Sequence, residues 1–314
     1  MSLTLSEKYR PRKFDDLISN KVVKNMFNNI ISSANIPNLI FYGGPGTGKT
    51  SALKVFINEI YSNNSNDNIL EINASDDRGI NIELILTKFS QTMIGNNLNK
   101  IIIFDEANDI AKKVQNIICK FINGNDDTNR IRCIFICQHI NNIIESIQSR
   151  CNIVDFNRIH KDLILERLEL ICKKENIKYE DPALENIAFF SNGDMRASLN
   201  LVEQFSIKKD GVTLANIESS NLFPSRLILR NIILYCANKN ITEAYHEREK
   251  LKGFEANDII NNLLDLLMYD SMLIIDEKIK LTFYDIIAQT LYVISQGIQT
   301  DLQIDAMLAI LLKA

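Results

Sequence analysis

The 314-residue chain has no excess of basic charge: 35 Lys and Arg against 39 Asp and Glu leave a formal net charge of −4. That excludes a protein that coats nucleic acid through its overall charge. Any such contact has to come from a local basic face. No run approaches the ~18 apolar residues of a membrane span, and the first residues show no apolar leader, so no membrane association is expected. The six cysteines, Cys119, Cys133, Cys137, Cys151, Cys172 and Cys236, include no C-x-x-C pair. Reduced thiols in an intracellular protein, with neither disulfides nor a zinc site, are therefore expected. Cys133 and Cys137 lie in an apolar run and are expected in the core. Glycine is scarce as well, with 11 in all, and four of these fall between Gly43 and Gly48. The remaining composition, 46% hydrophobic and 24% charged, is that of a globular protein long enough for two or three domains.

The glycine cluster reads Gly43-Gly44-Pro45-Gly46-Thr47-Gly48-Lys49-Thr50. It follows a β-like run, Leu39 to Tyr42, and opens a segment from Ser51 to Ile57 that suits a helix. Strand, glycine loop and helix together turn a G-x-x-x-x-G-K-[ST] pattern into a phosphate-binding site. Glycines let the backbone curl so that several N–H groups face an anion, and the helix N-terminus adds partial positive charge. Lys49 is expected to reach the β- and γ-phosphates, and the Thr50 hydroxyl to take one Mg²⁺ position.

Downstream, short apolar strands alternate with helices. Amphipathic spacing predicts a helix over Asp15–Ser33. Strands are expected at Ile69–Ile72, Ile101–Phe104, Ile131–Cys137 and Ile153–Phe156. The unbroken apolar runs suit a parallel sheet covered on both faces. Ligands bind at the C-terminal edge of such sheets, and three polar signals fall there. Asn73-Ala74-Ser75-Asp76-Asp77-Arg78-Gly79-Ile80 follows the second strand, either as ligand-facing residues or as a helix cap. The adjacent Asp105 and Glu106 end the third strand as a Walker B pair, with Asp105 toward Mg²⁺ and Glu106 orienting the attacking water. Gln138 ends the fourth strand, where its amide can hold the water or the γ-phosphate. Two arginines stay open on spacing alone. Arg150 is either a surface residue or a finger offered to a neighbour's nucleotide. Arg196, at a helix start and against the helix dipole, wants either a phosphate or a carboxylate.

From His160 the pattern is helical. Asp181-Pro182 predicts a capped helix to Phe190, and Gly193-Asp194-Met195-Arg196 opens another. In the last third Gly253 is expected to close the helix from Ile241, and another runs from Ile259 to Met272. Thr282 is expected to cap the next, stopped by Gly297, and Thr300 to cap the last.

Taken together these blocks resemble the small subunits of replication factor C, the AAA+ clamp loader. The resemblance covers essentially the whole chain. It is carried by Glu7-Lys8-Tyr9-Arg10-Pro11, the glycine loop, the Asn73–Ile80 block, Asp105-Glu106, Ile147-Gln148-Ser149-Arg150-Cys151 and Gly193-Asp194-Met195-Arg196. It implies a P-loop AAA+ domain of α/β class with a five-stranded parallel sheet over residues 1–158. A helical lid over 159–222 and an all-α collar over 223–314 would follow. It implies that Tyr9, Arg10 and Pro11 lie beside adenine and ribose, and that Gly43 to Ser51 hold the phosphates of ATP. Arg150 would act in trans on the adjacent subunit's ATP, and Arg196 would sense the γ-phosphate in cis. The implied cofactors are ATP and Mg²⁺, and the implied partners are companion subunits of a heteropentamer, a sliding clamp and primer–template DNA. The implied place is the site of DNA replication: nucleus or viral replication compartment, or the cytoplasm of an archaeon.

Four departures stand out. Asn108 ends a block that usually reads DEAD, Gln138 stands where the family usually has Asn, and Leu5 stands where an aromatic is usual. Lys112, Lys113 and Lys120 replace a more arginine-rich helix. No cysteine occurs between Thr50 and Asp105, which sets the chain apart from the zinc-binding bacterial loader subunits. The alternatives are an architectural subunit that binds ATP with little hydrolysis, supported by Gln138, and a DNA-remodelling motor, for which no DNA-binding domain follows the lid.

Overall fold

The computed structural model describes residues 3–18, 21–33, 36–61, 68–74, 82–92, 99–124, 131–208, 210–220, 222–270, 273–297 and 300–313. Most of the Asn73–Ile80 block, from Ser75 onward, lies outside the described residues. By internal contacts the chain divides into two units, residues 1–175 with 191–203, and residues 176–190 with 204–314.

The first unit is built on a five-stranded parallel sheet: β1 (Leu39–Tyr42), β2 (Ile69–Asn73), β3 (Lys100–Asp105), β4 (Ile131–Cys137) and β5 (Asn152–Asp155), in the order 2-3-4-1-5. Its helices are α1 (Leu5–Lys8), α2 (Lys21–Ser33), α3 (Lys49–Tyr61), α4 (Ile82–Gln91), α5 (Lys112–Gly124), α6 (Glu145–Gln148), α7 (Lys161–Glu175) and most of α9 (Met195–Ser206). Side chains alternate along β3. Ile101 and Ile103 join Phe27, Phe41 and Phe56 in one core, while Ile102 and Phe104 join Phe135 and Leu86 in another. The strand is apolar at consecutive positions because both faces are covered, as a parallel sheet requires. Phe27 is fully buried against Phe14, Phe41 and Phe56, which fastens α2 and α3 to the sheet. Nineteen consecutive helical residues from Asp15 do not form. Phe14–Asp16 makes a 3₁₀ turn, Leu17 drops into the core in extended backbone, and α2 starts at Lys21.

The second unit is helical: α8 (Asp181–Phe190), α10 (Leu214–Glu218), α11 (Arg226–Ala237), α12 (Ile241–Glu249), α13 (Ala256–Tyr269), α14 (Glu277–Ser295) and α15 (Asp301–Leu311). The last five share one apolar core that includes Leu229, Leu263, Phe283, Ile287 and Leu308. Buried Arg248 ties α12 to α15 through Asp301 and Asp305, and buried Asp270 receives Arg226 and Arg230 of α11. The expected cap at Thr282 is wrong. The helix α14 starts earlier, at Glu277, where Asp276 accepts from the Lys278 N–H, and the Thr282 hydroxyl instead bonds back to the Lys278 carbonyl. Thr300 does occupy the N-cap position of α15, but its side chain makes no capping bond. Asp181 is already helical, with the Glu180 carbonyl accepting the first bonds. The helix α12 ends at Glu249, and Gly253 takes its positive φ in the turn beyond.

Candidate nucleotide site

Pairing of Tyr42 with Cys137 and of Phe104 with Phe135 places the C-terminal ends of β1, β4 and β3 side by side. The glycine loop, Gln138 and the Asp105–Glu106 pair therefore emerge at one edge. The loop has positive φ at Gly43, Gly46 and Gly48, and α3 begins directly at Lys49. A Cβ at Gly43 would sit 2.2 Å from the Phe156 carbonyl oxygen, whereas nothing lies within 4 Å of the Cβ position at Gly48. The loop is thus packed where it leaves the sheet and open where it would meet an anion. Lys49 folds back so that its Nζ donates to the Gly43 and Gly44 carbonyls, each at 2.7 Å. Burial lowers its pKa below the ordinary lysine value, partly countered by nearby Cys137 and Asp105.

Beside the loop opens a cleft that is continuous with solvent. Tyr9, Arg10 and Pro11 line it together with Gly46, Thr47, Gly48, Ser51 and Arg196. Leu17, Ile18, Ile159 and Leu199 give it an aliphatic wall, and the carboxylates of Glu7 and Asp16 also line it. A cleft with an aliphatic wall next to a glycine loop fits a nucleotide: base against that wall, phosphates on the loop. The Thr50 hydroxyl and the Asp105 carboxylate are hard oxygen donors suited to Mg²⁺, which takes only one or two protein ligands beside phosphate. Among the described residues no cluster of three His, Cys, Asp or Glu could hold a metal unaided.

Arg196 stands in the first turn of α9. Among the described residues its guanidinium makes no hydrogen bond or ion pair, and it faces the cleft. Asp194 caps that helix by accepting from the Ala197 N–H at 2.9 Å, and the Gly46 carbonyl accepts from the Met195 N–H at 3.3 Å. Loop and helix are therefore joined. Glu106 adopts left-handed backbone, φ 53° and ψ 39°, which costs a non-glycine residue about 1 kcal/mol and clusters at functional sites. Its N–H donates to the Asp105 Oδ1 at 2.9 Å.

Arg150 is not brought into this cleft. Asn152 pairs with Leu39, so Arg150 lies at the N-terminal edge of the sheet, with the length of β1, roughly 13 Å, between it and its own loop. There the exposed guanidinium bonds to Asn123 and to the Ser146 carbonyl.

Several contacts escaped the sequence reading. The Tyr9 hydroxyl donates to Glu175 at the end of α7, and Lys8 pairs with the same carboxylate at 2.7 Å. The hydrogen bond to Glu175 raises the Tyr9 pKa, and the bonds from Lys8 and Tyr9 lower that of Glu175. Arg167 of α7 also lines the cleft. Buried Gln115 bridges the Ile110 and Asn142 carbonyls and the Ile144 N–H. None of these pairs has a fixed spacing along the chain.

Residues 39–158 match the family model of ATPases associated with various cellular activities (AAA), 166–207 a lid domain described as RCF1/5-like, and 224–310 the replication factor C C-terminal domain. A replication factor C small subunit from Sulfurisphaera tokodaii is 32% identical over 97% of this chain and 93% of its own. The chain belongs to the replication factor C small-subunit family. It is an AAA+ ATPase and a clamp-loader subunit of DNA replication. Replication factor C subunit 5 of Mus musculus is 32% identical over 82% of this chain and 77% of its own. The Thermotoga maritima RuvB branch migration motor superposes with a TM-score of 0.55 at 18% identity, covering 79% of this chain and 92% of that one. At that identity the likeness concerns the AAA+ fold alone. Members of the replication factor C family are nucleotide-binding subunits of hetero-oligomers, and this chain shares that character. Among the described residues no helix is long and apolar enough to cross a membrane.

Proposed function

We propose that this chain binds ATP with Mg²⁺ in the cleft and hydrolyses it as one subunit of a heteropentamer that loads a sliding clamp onto primer–template DNA. The observation that carries the proposal is the convergence on one cleft of Tyr9, Arg10, Pro11, the glycine loop and an Arg196 that has no partner among the described residues. Tyr9, Arg10 and Pro11 take base and ribose. The N–H groups of Gly43, Gly44, Gly46, Thr47, Gly48, Lys49, Thr50 and Ser51 surround the phosphates, with Pro45 shaping the loop. Lys49 exchanges its two carbonyl partners for the β- and γ-phosphates. Thr50 and Asp105 hold Mg²⁺, which supplies positive charge at those phosphates when bound. Glu106 orients the attacking water, and Gln138 and Arg196 contact the γ-phosphate. Arg150, too far from its own loop, reaches the nucleotide of the neighbouring subunit. Residues 1–158 serve as the ATPase domain, 159–222 as the lid and 223–314 as the collar that holds the assembly. The place of action is the site of DNA replication, nuclear or in a viral compartment, or the cytoplasm of an archaeon.

The test uses assemblies in which only this subunit keeps an intact site. Lys49→Ala should abolish tight ATP binding, whereas Glu106→Gln should retain binding and stop turnover. Clamp-stimulated hydrolysis that persists in Glu106→Gln assemblies would refute the assignment of Glu106. Gln138, in place of the usual Asn, favours a second reading: a subunit that binds ATP and barely turns it over. Turnover in the same assemblies with wild-type sequence separates the two, since a silent site supports the second reading.

A further inference from the structure

The residue that departs from the family's usual block at its fourth position holds two parts of the expected site together. After β3 the chain turns at Glu106 into a 3₁₀ turn, Ala107–Asp109, closed by the Asp109 N–H on the Glu106 carbonyl at 3.0 Å. This turn aims Asn108 sideways at the end of β4. There its Oδ1 accepts from the backbone N–H of Gln138 at 3.0 Å and of His139 at 3.2 Å. The two groups follow the last ladder residue of β4, Cys137, and have no further strand partner. One side-chain oxygen thus substitutes for the next rung of the sheet. Two donors facing it also determine which way the amide points, since its NH₂ could accept neither.

We infer that Asn108 is a positioning residue that locks the backbone of Gln138 to the strained turn at Glu106, so that amide and carboxylate approach the γ-phosphate as one unit. This rests on the roles proposed above for Gln138 and Glu106. A left-handed non-glycine residue persists only where its surroundings over-determine it, and the two bonds from Asn108 belong to those surroundings. An Asp at this place offers the same oxygen to the same donors, with a third negative charge beside Asp105 and Glu106. Asn keeps the geometry without that charge. The side chain does not line the cleft, and its effect passes through the backbone it holds.

Four variants, Asn108→Ala, Asn108→Asp, Gln138→Ala and the double alanine, are to be compared in assemblies whose other ATP sites are disabled. Asn108→Ala should lower kcat roughly tenfold, a fraction of the 10²–10³ that loss of a direct transition-state donor costs, with KM for ATP within about twofold. Hydrogen exchange at the Gln138 and His139 amides should accelerate in the same variant. Asn108→Asp should restore both readouts, and the double variant should be no slower than Gln138→Ala. ATP affinity serves as the control for folding. If Gln138→Ala lowers kcat and Asn108→Ala leaves kcat and exchange unchanged, the inference is overturned while the role of Gln138 stands. If Gln138→Ala has no effect, the role proposed for Gln138 is what fails.

Discussion

Replacing Gly46 by alanine probes the joint between the glycine loop and α9. Gly46 has φ +61°, and a Cβ there would lie 1.6 Å from the Asp194 Oδ1 and 2.2 Å from its Cγ. No pair of atoms tolerates that distance, so the short Asp194 side chain must turn away. Turning away gives up its bond to the Ala197 N–H. Left-handed strain on the new alanine costs about 1 kcal/mol, and a lost N-cap costs about 1 kcal/mol more. Residual crowding brings the sum to roughly 2–3 kcal/mol. Asp194→Ala alone loses only the cap, about 1 kcal/mol. The double variant no longer has the clash and loses the cap once, so its cost should be about 2 kcal/mol, short of the additive sum by about 1–2 kcal/mol. The chain has no tryptophan and divides into two units, so a single unfolding curve is a poor measure. Hydrogen exchange in the first turns of α9 reads the local opening instead. A cost of 2–3 kcal/mol corresponds to roughly 30- to 150-fold faster exchange there. Strict additivity of the two single variants, or unchanged exchange in Gly46→Ala, would show that loop and helix are not in contact, and the reasoning would fail.

Other consequences can be measured in the same way. Glu175→Ala releases Lys8 and the Tyr9 hydroxyl, so nucleotide affinity should fall roughly three- to tenfold. An effect of Tyr9→Ala without one of Glu175→Ala would dismiss the carboxylate as the anchor. Because burial lowers the Lys49 pKa, the nucleotide-free protein binds fewer protons there than the unfolded chain between that lowered value and 10.5. Its stability should therefore rise with pH across that window, and Lys49→Met should flatten the slope in alkaline hydrogen-exchange or urea titrations. An equal slope in both proteins would contradict the burial of the charge. Gln115→Leu keeps the volume at a position only 1% exposed but leaves two carbonyls and one N–H without their partner. It should destabilise the first unit by about 2–4 kcal/mol, and a change under 0.5 kcal/mol in urea unfolding would mean that the amide is not the bridge.

Local chemistry made much of the molecule readable. Glycines at Gly43, Gly46 and Gly48 are demanded by positive φ, and apolar runs such as Ile101–Phe104 by burial on both faces of a sheet. Both are properties of short stretches, so the loop, the strands and the Asp105–Glu106 pair could be placed in advance. Helix starts were harder. Thr282 looked like a cap because Thr282-Phe283-Tyr284-Asp285 has the style of a capping box, and only packing of Phe283, Ile287 and Ile294 decided how far the helix extends.

What the linear chain determined by itself was the family and the residues of the candidate site. Which groups meet was decided by tertiary structure. Lys100 begins a strand, yet folding sets its ammonium on the Phe89, Ser90 and Thr92 carbonyls at the end of α4. Asn108 meets Gln138 across 30 residues and Tyr9 meets Glu175 across 166. Arg150 is kept from its own loop by the length of a strand. Motif spacing reports backbone conformation over a few residues. A hydrogen bond between distant segments depends on strand order and register, which follow only from how the whole sheet and its covering helices pack.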